Sequence, residues 1–287
     1  MAVTRSILVL GAGGALGKSL LRAADGHPDI RCVGVAHAEV DITDRHRVDN
    51  AIRKWEAQIV VNCAALTDVD GCERDPMLAS AVNVDGARTV AEACRHANQL
   101  LVHLSTDFVF DGNSGKPYTE GDAPNPLSVY GATKLEAEHA VERVGGKHLI
   151  VRTAWTFGPG KANFVTKVLD RARREGRIDM IRTQTGSPTC TDDLAAGILA
   201  LVSTGAHGLF HVVNSGIATR VEFAQAILEL SGLGDVPVTP VDAPPAAWIA
   251  RRPSYSALDA SQFAAKTGIP LAPWRDALAR YLKTLPA

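Results

Sequence analysis

Arg5-Ser-Ile-Leu-Val-Leu10-Gly11-Ala-Gly-Gly14-Ala15-Leu16-Gly17, continued by Lys18 to Ala24, is the stretch that decides the fold. Its apolar run suits a strand buried on both faces. Glycines follow at once, and the residues after them read as a helix. Strand, glycine turn and helix in this order can hold a pyrophosphate. The turn brings bare backbone close to the phosphates, and the helix start offers unpaired N–H groups and a partial positive charge. The spacing is Gly-x-x-Gly-x-x-Gly rather than Gly-x-Gly-x-x-Gly. A glycine loop alone is also compatible with a simple tight turn, so the weight of this reading depends on its surroundings.

Downstream, the alternation repeats. Arg31 to Ala36 is the second predicted strand. Its tip, Val35-Ala-His37-Ala-Glu39, has neither the acidic residue that binds ribose hydroxyls nor an Arg for a 2′-phosphate. Glu39 reads equally as a ribose ligand or a solvated loop residue, so use of both NADH and NADPH is expected. Asp41-Ile42-Thr43-Asp44 starts a helix, with Thr43 or Asp44 as N-cap. Gln58 to Asn62 is a buried strand ending in the small residues Cys63-Ala64-Ala65. Asp75-Pro76 opens a helix predicted to run to about Ala97. Leu100 to Leu104 is a fourth strand, ending in Ser105-Thr106-Asp107. Four alternations by residue 105 predict a doubly wound parallel sheet, whose ligands lie beyond the carboxyl ends of the strands.

Ser128-Val-Tyr130-Gly-Ala-Thr-Lys134 falls at that same edge. Tyr130 and Lys134 are one helical turn apart and leave the same face of a helix predicted over Ser128 to Val144. An ammonium beside a phenol is expected to lower the tyrosine pKa, giving an acid that hands a proton to a carbonyl oxygen near neutral pH. The pair alone also fits a packed Tyr and a solvated Lys. Further strands are predicted at His148–Arg152 and Leu209–Val213. Helices are predicted over 162–175, over 191–203 with a Thr191 or Asp192 cap, after the capping box Thr219-x-x-Glu222, and from Trp274.

Composition narrows the function class. With 287 residues the chain can bury a large core, and its formal net charge of −1 leaves no electrostatic footprint for nucleic acid or membrane. The five cysteines, at 32, 63, 72, 94 and 190, form no Cys-x-x-Cys pair. That pattern suits reduced thiols in a cytoplasmic enzyme better than a disulfide framework. No membrane span and no secretory leader is expected, and His103, His139 and the cysteines lack metal-ligand spacing.

Taken together these landmarks resemble the extended short-chain dehydrogenases/reductases, and within them the dTDP-4-dehydrorhamnose reductase family. The resemblance rests on Gly11 to Gly17, Asp41 to Asp44, Asn62 to Asp70, Ser105 to Gly112, Tyr130 to Lys134, Arg152-Thr-Ala-Trp155, Asn163-Phe164, Gln184-x-Gly186-x-Pro-Thr189 and Arg252-Pro253. It implies an α/β fold: a doubly wound, Rossmann-type sheet with a smaller C-terminal substrate domain. Residues 1–155 with 186–214 would form the dinucleotide-binding domain and 156–185 with 215–287 the substrate-binding domain. It further implies NADPH or NADH held by Gly11, Gly14, Ala15, Leu16, Gly17, Asp41, Ile42, Ala64 and Ala65, together with Tyr130 and Lys134. Tyr130 would protonate the C4 oxygen of a 4-keto sugar nucleotide. Thr106 would donate to the same oxygen, and Lys134 would hold the nicotinamide ribose. Thr67, Val69, Thr106, Asp107 and Trp155 would line the sugar-nucleotide site. Thr106 also fits an ordinary strand-end hydroxyl, and Trp155 plain core.

Phe108 stands where the family often has Tyr, and Arg182-Thr183 where it usually has acids. A magnesium site bridging a dimer near the C-terminus is not expected, because only Asp276 is acidic after Pro270. A homodimer stays open. The alternatives are an epimerase of the same superfamily, which returns the hydride, and a non-catalytic regulatory subunit resembling the beta subunit of methionine adenosyltransferase.

Overall fold

A computed structural model of the chain describes residues 5–25, 27–244 and 248–286; residues 1–4 and 287, the outer ends of the two expected domains, lie outside the described residues. The first half alternates as its apolar runs dictate. β1 (Arg5–Leu10), α1 (Ala15–Asp25), β2 (Ile30–Val35), α2 (Arg45–Lys54) and β3 (Ile59–Asn62) are followed by α3 (Val69–Arg74), α4 (Pro76–Ser80) and α5 (Gly86–His96). Then come β4 (Leu100–Thr106), α6 (Val129–Val144) and β5 (His148–Thr153). Asp44 caps α2 by accepting from the Arg47 amide, and Ser128 caps α6 by accepting from Gly131.

One expectation is corrected here, and one element is added. The helix predicted from Pro76 to about Ala97 is interrupted by a π-helical turn at Ala81–Asp85, where the Asn83 side chain turns inward. There it accepts from the Leu66 amide and donates to the Thr133 hydroxyl. Pattern reading does not register one extra residue in a helical turn. The short α3 also went unread, because six residues carry too little periodicity.

The second half adds β6 (Thr156–Phe157), α7 (Phe164–Glu175), β7 (Ile178–Ile181), β8 (Thr185–Gly186), β9 (Thr189–Cys190) and α8 (Thr191–Ser203). β10 (Gly208–His211), β11 (Ala218–Thr219), α9 (Arg220–Leu230), β12 (Val238–Val241), α10 (Ser261–Thr267) and α11 (Trp274–Leu282) complete the described elements. The expected capping box at Thr219 forms, and a second one, at Asn163, starts α7. The Thr191 or Asp192 cap does not form. Cys190 is the cap residue, and the Thr191 hydroxyl instead accepts from Ser19 at 2.9 Å, tying α8 to α1.

Six strands form one sheet in the order β2-β1-β3-β4-β5-β10, every pair parallel. The chain reverses direction across the sheet between β1 and β3, which opens a crevice at their carboxyl ends. α1, α8 and α10 cover one face, around Ile7, Val9, Val61, Leu194, Ile198 and Phe263. α2, α5 and α6 cover the other, around Leu8, Leu10, Val60, Val90 and Ala137. Burial on both faces explains the continuous apolar runs; each such Leu or Val contributes about 1.5–3 kcal/mol. A separate apolar cluster gathers Phe157, Val165, Ile178, Phe223, Ile227, Trp274 and Leu278 from α7, α9, α11 and the short strands.

Candidate active site

The crevice is built from glycine. Gly11 closes β1 with φ +76°, a left-handed conformation that favours glycine, and a Cβ there would stand 2.7 Å from the Ala64 backbone nitrogen. β1 and the end of β3 therefore meet with no side chain between them. Gly17 packs in the same way, since its Cβ would lie 2.6 Å from Ala12 Cα. Gly13 and Gly14 leave the floor beside them as bare backbone.

The resulting cleft measures about 670 Å³ and is lined by Gly11, Gly13, Gly14, Ala36 to Ala38, Asp41 to Thr43 and Cys63 to Ala65, with α4, the π turn and Lys161 closing it. Gly11, Gly14, Asp41, Ile42, Ala64 and Ala65 thus come together as expected. Ala15, Leu16 and Gly17 are absent from the lining; they form the first turn of α1, whose amides have no intrahelical acceptor. Glu39 accepts from the Ala36 amide at 2.9 Å, closing its own turn. Bare glycine backbone at a helix start is the donor set that a dinucleotide pyrophosphate requires, so the residues present fit NAD(P)H.

The Tyr-Lys pair sits beside this cleft. Lys134 is 3% exposed, and its ammonium donates to the Leu104 carbonyl at 2.5 Å. Burial depresses it to about 8, against an opposing pull from the Glu138 carboxylate. Tyr130 packs edge-on to Phe108, with ring centroids 5.6 Å apart. Its phenol lies above the ordinary tyrosine range, the reverse of the expected tuning by Lys134. Burial of a prospective phenolate is the largest cause, the Thr106 hydroxyl pulls the other way, and the Asp107 carboxylate adds to the rise.

Ser105 and Thr106 point to opposite sides of β4, as strand geometry requires. Ser105 donates to Glu138, which also forms a bidentate pair with Arg152 at 2.6 and 2.9 Å in the interior. Thr106 donates to Asp107 at 3.0 Å. Asp107 is 2% exposed and also accepts from Ser256 at 2.5 Å; burial nevertheless pushes it up to about 6. Asp107 is therefore satisfied inside the protein rather than displayed on the surface.

A second cleft of about 540 Å³ is lined in part by Phe108 and opens among Phe164, Met180, Gln184, Arg220, Trp248 and Arg252. Trp155 packs against the apolar cluster around Phe223 and does not itself line the cleft. Its φ is +43°, Gly186 leaves room for its ring, and the Arg220 guanidinium lies 3.5 Å from that ring's centroid. Arg252 stacks on Trp248 at 3.8 Å and pairs with Asp70 at 2.7 Å. Asp70 also accepts from the Ile249 and Ala250 amides. Burial opposes its ionisation, but these donors outweigh it and leave the carboxyl at about 2. Thr67 is exposed in the turn before α3, and Val69 opens that helix.

Arg220 and Trp248 escaped sequence analysis. Arg220 adjoins the capping box, whose pattern carries no sign of a ligand, and Trp248 lies in a Pro-rich segment without periodicity. Among the described residues no group of three or more His, Cys, Asp or Glu side chains is placed to hold a metal ion. No helix there is long and apolar enough to cross a membrane.

A parallel doubly wound sheet with a glycine crevice and a Tyr-x-x-x-Lys helix at its carboxyl edge defines a Rossmann-type short-chain reductase fold. The family described as RmlD substrate binding domain matches residues 5–286. The chain is 40% identical over 278 residues to a dTDP-4-dehydrorhamnose reductase of Streptomyces griseus, covering 94% of this chain and 91% of that protein. It is 38% identical over 274 residues to a probable dTDP-4,6-dihydroxy-2-methyloxan-3-one 4-ketoreductase of Streptomyces antibioticus, covering 94% and 92%. The dTDP-4-dehydrorhamnose reductase of Bacillus anthracis, solved in complex with NADP, superposes with a TM-score of 0.93 at 32% identity, over 98% of this chain and 100% of that one. The chain belongs to the dTDP-4-dehydrorhamnose reductase family.

Proposed function

We propose that the protein uses NAD(P)H to reduce the C4 keto group of a nucleotide-linked 6-deoxy sugar, with dTDP-4-dehydrorhamnose, giving dTDP-L-rhamnose, as the leading substrate. The observation that carries this reading is that the Tyr130–Lys134 pair has one neighbour on each cleft, although neither residue lines a cleft itself. Phe108, its edge-on partner, borders the arginine-lined cleft, and Cys63, in electrostatic reach of Lys134, borders the glycine-floored one.

A bound nicotinamide supplies the hydride. Tyr130 donates its phenolic proton to the oxygen on which negative charge develops. Its raised pKa keeps that proton in place at neutral pH, the state a donor needs. Thr106 offers a second donor when its hydroxyl turns from Asp107 toward the substrate oxygen. Lys134 offsets the charge left on Tyr130 and reaches the ribose hydroxyls. Arg220 and Arg252, which line the second cleft, would meet a diphosphate, and Trp248 would give a flat apolar surface there for sugar or base, while Trp155 lies behind Arg220 and supports it. Residues 1–155 with 186–214 would carry the cofactor and 156–185 with 215–287 the substrate. The separate cluster around Phe223 supports that division, with α10 as an exception, since its Phe263 packs into the sheet core. A homodimer and a cytoplasmic location, both implied by the family, belong to the same proposal.

The pH dependence follows from Lys134. The ammonium is charged below about 8 and neutral above it. The free-enzyme kcat/KM should therefore fall as pH rises through about 8, while Tyr130 stays protonated. A profile flat to pH 10 would remove Lys134 from the mechanism. The substrate assignment is tested with dTDP-, UDP- and GDP-linked 4-keto-6-deoxy sugars. The dTDP sugar should react best, and the UDP analogue roughly 10–200-fold less well, because thymine and uracil differ by one methyl. If a UDP or GDP sugar is preferred, or none reacts, the assignment fails.

A further inference from the structure

The loop between β6 and α7, Gly158-Pro-Gly160-Lys161-Ala-Asn163, is pinned across the glycine crevice. Asn163 Nδ2 donates to the Gly158 carbonyl and the Tyr281 hydroxyl, both at 2.8 Å, with the Lys161 carbonyl also near it at 3.2 Å. From the other side, Lys18 Nζ donates to the Gly160 carbonyl at 3.2 Å. Gly160 has φ +105°, and a Cβ on it would stand 2.8 Å from Lys18 Cδ. Lys18 belongs to the first turn of α1, where its amide donates to Gly14. The loop is therefore fixed over the helix start that faces the phosphates.

Fixing it there brings Lys161 into the lining of the crevice with Gly11, Gly13 and Gly14. Lys161 is the only Lys or Arg among the described lining residues, and among the described residues it has no ion-pair partner. Lys18, the other lysine near the turn, is occupied in holding the loop. The glycine turn supplies amides and a partial helix charge but no full positive charge. A pyrophosphate carries two negative charges, and a lysine ammonium is a compact counter-charge for it.

We infer that Lys161 is a phosphate-binding residue, reaching over the glycine turn from the α7 side of the molecule to clamp the dinucleotide pyrophosphate. The inference rests on reading the crevice as the NAD(P)H site. The test is direct titration of the protein with NADPH, NADH and ADP-ribose, at low and high salt, for wild type, Lys161→Gln and Lys161→Arg. Lys161→Gln should weaken all three by about tenfold, as loss of one charge-assisted contact implies, and flatten the salt dependence of Kd. Lys161→Arg should stay within about threefold of wild type, since it keeps the charge. Equal affinities for wild type and Lys161→Gln overturn the inference and leave the cofactor reading intact. A loss confined to NADPH moves Lys161 to the 2′-phosphate and overturns the pyrophosphate assignment. Failure of wild type to bind any of the three overturns the cofactor reading itself.

Discussion

Replacing Tyr130 by Phe should lower kcat by about 10²–10⁴-fold, the contribution expected of a positioned proton donor. The substitution removes one oxygen and little else. The ring keeps its edge contact with Phe108, and the Ser128 cap that starts α6 is untouched. Cofactor affinity should change by less than about threefold, because the phenolic proton matters most in the transition state. Stopped-flow reduction and equilibrium titration on the same preparation separate the two quantities. Near wild-type kcat in Tyr130→Phe would return Tyr130 to the role of a packed side chain.

The largest stability effect is expected at a residue that touches neither cleft. Glu138 lies inside α6 at 3% exposure and accepts from Arg152 through two nitrogens and from Ser105. Glu138→Ala would leave the buried Arg152 guanidinium without its ion-pair partner, and breaking such a pair costs about 3–5 kcal/mol. That is a large fraction of the 5–15 kcal/mol typical of a folded protein. Glu136→Ala, an exposed change on the same helix, should stay within about 0.5 kcal/mol. Denaturant unfolding of both variants gives the comparison, and a loss below 1 kcal/mol for Glu138→Ala would mean that water or another group satisfies Arg152. Glu138→Ala also removes the carboxylate that supports the charge on Lys134, so any residual activity should fall off at a lower pH than in wild type.

The sheet was legible because its strands are buried on both faces and its turns are marked by Gly, Pro and capping residues. β1, β3 and β4 carry the apolar runs Ile7 to Leu10, Ile59 to Val61 and Leu100 to Val102, and Ser128 and Thr219 announce the helices they cap. The glycine crevice was legible for the same reason, as Gly11 and Gly17 are needed for backbone contacts that any Cβ would block. Interactions between distant segments were not legible. Nothing in the sequence around Tyr130 reports how deeply it is buried, so the expected lowering of its pKa came out reversed. The pairing of Asp70 with Arg252 and the stacking of Arg220 on Trp155 join residues far apart in the chain, and no local period encodes them. The π turn at Ala81–Asp85 was hidden because its composition is that of an ordinary helix.

The central claim is net hydride transfer to the sugar, which separates a reductase from an epimerase or a non-catalytic subunit on the same fold. Incubation with dTDP-4-dehydrorhamnose and NADPH carrying deuterium at the transferable C4 position tests it directly. The account predicts one NADPH oxidised per sugar consumed, with the deuterium recovered at C4 of the sugar. Conversion of a sugar nucleotide without net NADPH oxidation, or no conversion by a preparation that binds NADPH, would contradict it.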